Sequence, residues 1–265
     1  MFDLVLATVD REAELNRFLE SLERQSHRGF RVLLVDQNAD DRLEAVLREH
    51  ESLDIVRLRS PRGLSRARNA ALHQLRADLV AFPDDDCVYP DDLLERVARR
   101  FSGSLDGVTG RSSTPASWAM EPAVLTRDNL WNRAISYTIF LRRELVERVG
   151  AFDERLGLPS SSGEEIDYLV RALDAGAHIE YDPSLVVEHA EEPRDPHHIA
   201  ARDGRSIGYI LRKHRYPPRV VARMLVRPAG GALLAALHND RGRVQFHVST
   251  LRGRVLGYGR AATSP

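Results

Sequence analysis

A short apolar run at residues 79–82 leads into three aspartates, Asp84, Asp85 and Asp86. Such a run is typical of a buried β-strand, and ligands of open α/β sheets bind at the carboxyl ends of the strands. Adjacent carboxylates repel one another unless they are solvated, protonated or neutralised by a cation. Hard divalent cations prefer oxygen ligands. The pattern therefore predicts a strand that ends in a metal site, with a solvated acidic loop as the alternative.

The residues before and after this run alternate between strand-like and helix-like patterns. Apolar runs typical of strands occupy residues 2–7, 31–35, 55–58 and 79–82, and Leu15, Phe18, Leu19 and Leu22 recur at helical spacing between the first two. Alternation of this kind predicts a largely parallel sheet with helices on both faces. Since right-handed crossovers bring parallel strand ends to one edge, Asp10, Asp36 and the acidic triplet are expected to meet there.

The alternation weakens beyond residue 101. Residues 102–129 contain several glycines and prolines and are expected to be rich in loops, which could form one wall of a binding site. The remaining patterns predict a strand at 136–141 and helices at 143–149 and 163–175. We expect one catalytic domain over residues 1–195, with halves at 1–101 and 102–195, and a helical extension over 196–265.

Composition narrows the class of protein. The hydrophobic content of 43% supports a real core, and the single cysteine, Cys87, excludes an intramolecular disulfide framework and fits a reducing compartment. No stretch approaches the roughly 20 apolar residues of a membrane-spanning helix, and no signal-peptide pattern opens the chain. The sequence predicts a soluble or peripheral protein in the cytoplasm.

Charge is distributed unevenly along the chain. Residues 202–265 carry thirteen basic residues and two acids, a net charge of +11, whereas the chain as a whole carries −1. Arg219, Arg223 and Arg227 precede an apolar stretch at 229–237, a combination that favours peripheral contact with an anionic membrane. The alternative is a helical appendage with a solvated basic face. No nucleic-acid recognition motif accompanies the charge, so we expect no nucleic-acid partner.

Two further groups of residues suit a nucleotide. Asp36 closes a predicted strand, and together with Asp10 it could accept the imide N–H of uracil or thymine, although a lone aspartate there more commonly caps a turn. Arg62, Arg66 and Arg68 surround a predicted helix start, where phosphate is favoured. Arg66 and Arg68 cannot point the same way on a helix, and we predict that Arg68 reaches the ligand.

Two later motifs carry titratable groups. Glu164 and Glu165 follow a loop into a helix, where one of them could act as a general base; Ser162 and Glu165 also match a capping box, which is the structural alternative. His189 ends an apolar stretch. With an acidic cluster elsewhere, its imidazole is a candidate metal ligand or diphosphate contact.

Taken in order, these elements resemble the inverting glycosyltransferases of family two, which have the GT-A fold. The matching segments are residues 7–11, 35–38, 63–69, 82–86, 142–154, 163–167 and 187–189. The resemblance covers roughly residues 3–190 and leaves the basic tail outside. It implies an α/β protein with a mixed, mainly parallel central sheet flanked by helices and followed by the C-terminal helical extension.

The resemblance also implies roles for individual residues. The nucleotide contacts would come from Thr8, Asp10, Arg11, Asp36, Arg68, Asp84 and Asp85. Asp84 and Asp86 would form the DXD metal motif for Mn2+ or Mg2+, with Asp86 the closest ligand and His189 a further one. The metal would bridge the diphosphate of a UDP- or dTDP-sugar and stabilise the leaving group.

The general base departs from the family pattern. Family members commonly have Glu-Asp where this chain has Glu164 and Glu165, so Glu165 is the candidate base, Asp167 the second choice and Glu164 the third. One extra methylene moves a carboxylate by about an ångström, enough to disturb the geometry of attack. A catalytically degenerate nucleotide- and metal-binding scaffold is therefore the alternative to a transferase. Dinucleotide dehydrogenases are excluded because no glycine-rich loop follows the first strand.

The sequence thus predicts a metal-dependent inverting transferase that moves a sugar to a hydroxyl of a glycan or lipid-linked acceptor in polysaccharide assembly. Its location would be cytoplasmic or on the inner membrane face. Discrimination between sugars and between acceptors would depend on the loops that form the pocket walls, such as residues 102–129.

Overall fold

The computed structural model describes residues 1–114, 118–157, 161–189 and 195–260. The chain divides into two compact units. The first unit comprises Met1–Glu154 and Tyr168–Glu191, and the second comprises Arg155–Asp167 and Glu192–Pro265. Residues 155–167 are thus grouped with the C-terminal helices, whereas the sequence prediction placed them in the catalytic domain. The predicted boundary at residue 195 adjoins residues 190–194, which lie outside the described part.

The first unit is built on a mixed sheet. Its described strands are β1 (Phe2–Thr8), β2 (Phe30–Asp36), β3 (Ile55–Arg59), β4 (Leu79–Ala81), β5 (Cys87–Val88), β6 (Gly107–Ser112), β7 (Ala123–Val124), β8 (Ile139–Arg142) and β9 (Ile179–His189). The order across the sheet is β3-β2-β1-β4-β8-β6-β9-β5, and β7 pairs with β9. β1 to β4 are parallel, and β8 runs antiparallel to β4 and β6.

Helices connect and cover these strands. They are α1 (Glu12–Glu23), α2 (Glu44–Glu49), α3 (Leu64–Leu72), α4 (Leu93–Arg100), α5 (Arg143–Val149) and α6 (Glu164–Asp174), followed by α7 (Pro196–Lys213), α8 (Pro218–Leu237) and α9 (Arg241–Arg260). Every residue of β1 and β2 is buried, as expected for parallel strands covered on both faces. α1 buries Leu15, Phe18, Leu19 and Leu22, the stripe that predicted it.

The predicted α/β fold is confirmed, and no end of the first four strands differs from its prediction by more than one residue. The prediction of a strand over residues 136–141 was wrong at its start. Ser136–Thr138 forms a 3-10 turn and the strand occupies Ile139–Arg142. The Thr138 hydroxyl donates to the carbonyl oxygens of Ile135 and Gly110, which favours the turn over an extended strand.

The second unit is dominated by α7, α8 and α9. Gly204 and Gly208 on α7 face Gly253 and Gly257 on α9. A Cβ added to Gly208 would lie 2.0 Å from the Arg254 carbonyl oxygen, and one added to Gly257 would lie 2.0 Å from that of Arg205. Glycines four residues apart share one helix face, so each pair allows the two backbones to approach closely.

α8 is long and apolar enough, by length and composition alone, to span a bilayer. Its most apolar window has a mean hydropathy of 1.5, and 17% of that window is buried. The sequence prediction excluded such a helix because no stretch approaches about 20 apolar residues. The structure joins Arg219, Arg223 and Arg227 to the apolar stretch at 229–237 in one continuous helix.

A buried ion pair fixes the start of the sheet. Asp3 on β1 is fully buried, and its Oδ1 accepts a hydrogen bond from Arg31 Nε on β2 at 2.9 Å. Its Oδ2 accepts from the backbone N–H groups of Arg76 and Ala77, which precede β4. Asp3 therefore links three neighbouring strands.

Replacing this carboxylate should destabilise the first unit. We expect Asp3→Asn to lower the free energy of unfolding by about 3–5 kcal/mol, because the Arg31 charge stays buried without its partner. Urea unfolding followed by circular dichroism measures the change. Asp40→Asn is the control, since Asp40 pairs with Arg42 at the surface and should matter little. Equal effects of the two changes would contradict the role of Asp3.

Candidate functional site

The ends of three parallel strands meet at one edge of the sheet. β1 lies between β2 and β4, so Thr8 pairs with Asp36, and Asp84 forms a bridge to Ala7 just beyond β4. Asp36 is fully buried and Asp85 and Asp86 nearly so, whereas Asp84 is partly exposed. The predicted gathering of carboxylates at this edge is present for Asp36 and the triplet.

Asp84, Asp86 and His189 form a candidate metal centre. One potential ligand atom from each lies within 4.8 Å of the other two. His189 reaches the cluster because β9 pairs with β5, which places His189 opposite Cys87. Asp86 Oδ1 is buried and lies 3.0 Å from His189 Nε2. Two carboxylates and an imidazole gathered in this way suit a divalent cation such as Mn2+.

Two arginines neutralise the same carboxylates. Arg11 Nη1 donates to Asp85 Oδ1 at 2.8 Å and to Asp86 Oδ2 at 2.6 Å. Arg68 Nη2 donates to Asp84 Oδ1 at 3.1 Å, and the Ser136 hydroxyl donates to Asp84 Oδ2 at 3.1 Å. The repulsion within the triplet is therefore offset by protein cations as well as by a hydroxyl that the sequence did not reveal.

The surroundings shift the pKa values of Asp85, Asp86 and His189 in different directions. Burial raises the pKa of Asp85 to about 6, against the opposing effects of Thr8 and Arg11. Burial also acts to raise the pKa of Asp86, but His189 and Arg11 outweigh it and the net pKa is lowered. Burial acts to lower the pKa of His189, but contact with Asp86 outweighs it and the net pKa is raised. Asp86 is thus held ionised, as a metal ligand must be.

Asp36 is surrounded by donors from its own turn and the next strand. Asn38 donates to Oδ1 through its backbone at 2.9 Å and its side chain at 2.8 Å. Arg57 donates to Oδ2 at 3.0 and 2.7 Å, and Arg59 Nη1 lies 3.2 Å from the same oxygen. Both oxygens are engaged, so Asp36 organises this edge. Sequence analysis missed Arg57 and Arg59. The available signal was their spacing of two residues, which places both on the same face of β3.

Asp10 lies beyond β1 in a left-handed conformation, with φ of 56°. Its backbone N–H donates to Asn38 Oδ1 at 2.8 Å, which ties this turn to the end of β2. Its half-exposed carboxylate contacts Arg62 and lies 3.2 Å from Arg42 Nη1. Thr8, Asp10 and Asp36 therefore line one continuous stretch of the edge.

Arg66 and Arg68 point in different directions, as their spacing on α3 requires. Arg68 is fully buried and lies over the rings of Phe82 and Phe152, 5.8 and 5.5 Å from their centroids. Arg66 is half-exposed, and its Nε lies 3.1 Å from Glu154 Oε2. The structure thus directs Arg68 into the acidic cluster.

The candidate bases lie in the first turn of α6, within the second unit. Asp167 is fully buried, and its Oδ1 lies 2.6 Å from Lys213 Nζ and 2.8 Å from His214 Nε2 at the end of α7. Glu164 is buried and Glu165 is half-buried. The Ser162 hydroxyl, proposed above as a helix cap, donates to Asp203 Oδ1 at 2.7 Å. Sequence analysis missed Lys213 and His214.

A cavity of about 430 Å3 adjoins the candidate metal centre. Asp86 and His189 contribute to its wall, together with Glu14 and Arg17 from α1. Tyr137 stacks on His189 with 4.8 Å between ring centroids, which supports the imidazole from the other side. The cavity gives a small polar group access to Asp86.

Comparison with known families gives one match to a family model. Residues 3–119 match the family described as glycosyl transferase family 2. Glycosyltransferase AglE of Haloferax volcanii is 26% identical over 214 residues, which cover 72% of this chain and 68% of that protein. The pre-mycofactocin glycosyltransferase of Mycobacterium tuberculosis is 26% identical over 88% of this chain, which spans about half (51%) of that relative's length.

Solved structures share the fold. The mannosyltransferase PcManGT from Pyrobaculum calidifontis, in complex with GDP-Man and Mn2+, superposes with a TM-score of 0.70 at 17% identity, covering 97% of this chain and 86% of that one. S. aureus TarS 1-349 in complex with UDP-GlcNAc gives a TM-score of 0.62 at 17% identity, covering 95% and 90%. Likeness at such identity establishes the fold alone.

Because Arg66 and Arg68 point in different directions, replacing each of them should have a different effect on the free energy of unfolding. We expect Arg68→Gln to lower the free energy of unfolding by about 3 kcal/mol in metal-free buffer, because Asp84 loses its buried cation and two rings lose their packing partner. Arg66→Gln, two residues away, is the matched control and should have little effect because its ion pair is exposed. Chemical unfolding measures both, and a larger effect at Arg66 would contradict the assignment.

Proposed function

Since this chain belongs to the family 2 glycosyltransferases and has their GT-A fold, we propose that it moves a sugar from a nucleotide diphosphate donor to a hydroxyl acceptor with the help of a divalent cation. The observation that carries this proposal is the gathering of Asp84, Asp86 and His189 at the carboxyl edge of the sheet. Arg11 and Arg68 add positive charge at the same edge, where a diphosphate needs it.

We assign Asp86, Asp84 and His189 as ligands of Mn2+ or Mg2+. Asp86 is assigned as the principal ligand because its buried carboxylate lies beside His189 and its lowered pKa keeps it ionised. A related structure carries Mn2+ in its complex, which makes manganese the first cation to test. When bound, the cation would supply charge that stabilises the leaving diphosphate.

The nucleotide is proposed to lie along the edge formed by Thr8, Asp10, Arg11 and Asp36, reaching Arg68, Asp84 and Asp85 at its phosphates. Asn38 and Arg57 already engage both oxygens of Asp36, so contact with the base falls to the more exposed Asp10. We retain UDP and dTDP as the expected nucleotides. GDP belongs in the same test because one structural neighbour binds GDP-Man and another binds UDP-GlcNAc.

For the chemistry we propose a single in-line displacement. A carboxylate removes the acceptor hydroxyl proton, the hydroxyl oxygen forms a bond to the anomeric carbon, and the bond to the diphosphate breaks, with inversion. Glu165 is the proposed base. Lys213 and His214 contact one oxygen of Asp167, which suits that residue to positioning more than to proton removal. Glu164 is more buried than Glu165 and remains the third choice.

We further propose a glycan or lipid-linked acceptor in polysaccharide assembly, handled in the cytoplasm at the inner face of the membrane. Support for this location comes from the basic C-terminal segment and the single buried thiol of Cys87, which suits a reducing compartment. The exposed arginines of α8 favour peripheral contact with anionic lipid.

The metal site is tested first by calorimetric titration with UDP, dTDP and GDP, each with and without Mn2+. We expect one of these nucleotides to bind in a metal-dependent manner, and Asp86→Ala to abolish that dependence, because the principal ligand is lost. Asp91→Ala is the control, since Asp91 lies on the surface beside Arg24. Unchanged metal-dependent affinity in the Asp86 variant would remove Asp86 from the site. No nucleotide binding by folded wild-type protein would favour the degenerate scaffold.

The base assignment is tested by Glu165→Gln. This variant should keep donor affinity and lose transfer about 10²–10⁴-fold, because it keeps the shape of the side chain but cannot accept the proton. Donor binding by calorimetry and transfer by product release separate the two effects. Near-normal turnover would move the role to Asp167 or Glu164, which Asp167→Asn and Glu164→Gln then distinguish.

A further inference from the structure

The second unit contains a cavity of about 260 Å3 that the proposed transferase chemistry does not use. Its wall includes Arg227 from α8, His247 and Arg254 from α9, and one carboxylate, Asp203 from α7. Apolar side chains, among them Ile199 and Phe246, complete it. The cavity therefore combines two arginines, an imidazole and one carboxylate with apolar walls.

Arg254 holds unused hydrogen-bonding capacity in this cavity. Its Nη1 donates to the carbonyl oxygen of Met224, which anchors the guanidinium to α8. Its Nε is buried and has no hydrogen-bond partner among the described residues. Burial, together with the neighbouring Arg227, lowers the pKa of Arg254. Such a group is stabilised by an anion that accepts from Nε and offsets the repulsion between the two arginines.

The nearby acids do not supply that anion. Asp203 and Asp240 are the only acids after residue 202. Asp203 Oδ1 lies 2.9 Å from Arg202 Nε, and Asp240 Oδ2 lies 3.6 Å from Arg243 Nε. Within the described part of the chain, neither Arg227 nor Arg254 forms a salt bridge to an acid.

The donor set suits phosphate. Guanidinium groups bind phosphate through paired hydrogen bonds, and the imidazole of His247 adds a further donor. His247 is closely held, because a Cβ added to Gly231 on α8 would lie 2.6 Å from its ring. Donors converging from two helices match the several oxygens of a phosphate better than the two of a carboxylate.

The surface of the same helices suits a lipid bilayer. α8 and α9 expose large apolar side chains, namely Val226, Leu233, Leu234, Leu237, Phe246, Val248, Val255 and Leu256. Leu237 is 71% exposed and Val226 66%. Arg219, Arg223 and Arg227 are exposed on the first half of α8, ahead of its exposed leucines. A helix with apolar and basic surface of this kind is favoured at the interface of an anionic membrane.

We propose that the second unit binds an anionic membrane surface, with the phosphate of a lipid headgroup held in the cavity by Arg227, Arg254 and His247. The exposed apolar side chains of α8 and α9 enter the headgroup region beside it. This inference rests on the peripheral membrane contact proposed above and names the lipid group that the cavity holds; it does not depend on the sugar donor or the metal, because lipid binding needs neither.

The test is flotation of the full chain with vesicles of phosphatidylcholine, with and without phosphatidylglycerol, in the absence of nucleotide. We expect binding to the phosphatidylglycerol vesicles. Arg227→Gln should weaken it about tenfold or more, because charge-assisted hydrogen bonds to phosphate are lost. Arg219→Gln is the matched control. It removes the same charge from the same helix outside the cavity and should weaken binding no more than about fivefold.

A second variant, Arg254→Lys, keeps the charge but removes the Nε donor and should also weaken binding more than Arg219→Gln does. Circular dichroism checks that each variant is folded, and the exposed Arg227 keeps the test valid if Arg254→Lys unfolds. Equal losses for Arg219→Gln and Arg227→Gln would show diffuse attraction and overturn the cavity site.

Three other outcomes would also overturn the proposal. Binding of inorganic phosphate without vesicle binding would identify a free anion as the ligand. Self-association of the chain without vesicle binding would assign the apolar face to a second copy. Retention in cell membranes after alkaline carbonate extraction would indicate that α8 spans the bilayer.

Discussion

The neutralisation of three consecutive carboxylates at the end of a buried strand is the constraint on which the first unit depends. Asp84, Asp85 and Asp86 cannot remain ionised together at that edge without nearby positive charge. Arg11 supplies it from the turn after β1, Arg68 from α3, and the imidazole of His189 from the end of β9. These elements are far apart in the sequence. The topology of the sheet brings their positive charges to the acidic triplet and so neutralises it.

The sequence predicted the parts of this arrangement that follow from local patterns and from parallel topology. The burial of β1 and β2, the carboxylates at strand ends and the inward direction of Arg68 all follow from periodicity and from the spacing of residues on a helix. The apolar stretch that His189 ends, together with the acidic cluster elsewhere, made it a candidate ligand, but its place beside Asp86 depends on the pairing of β5 with β9. That pairing has no signature in the chain, since β5 is only two residues long.

What the sequence did not predict depends on register and on packing between distant segments. Arg57 and Arg59 reach Asp36 only because β3 pairs with β2 in one register, which sets Arg59 opposite Asp36. Lys213 and His214 approach Asp167 through the packing of helices about 47 residues apart in the chain. A one-residue change of register would remove the contacts of Arg57 and Arg59 with Asp36. No local pattern predicts the contacts of Lys213 and His214 with Asp167. The charge partners of a carboxylate are therefore harder to predict than the carboxylate itself.

The two parts of the chain carry net charges of opposite sign, so ligand binding in each part involves charges of opposite sign. Residues 1–201 carry a net charge of −12, yet the ligand proposed for them is a nucleotide diphosphate that is itself an anion. Binding there requires a local reversal of sign, which Arg11, Arg68 and a divalent cation at Asp86 would provide. Residues 202–265 carry +11, and their two acids are paired with other arginines, so the phosphate proposed for their cavity would add the negative charge that the chain does not place there. The proposed cation at the acidic edge and the proposed phosphate in the basic cavity would thus solve the same electrostatic problem with opposite signs.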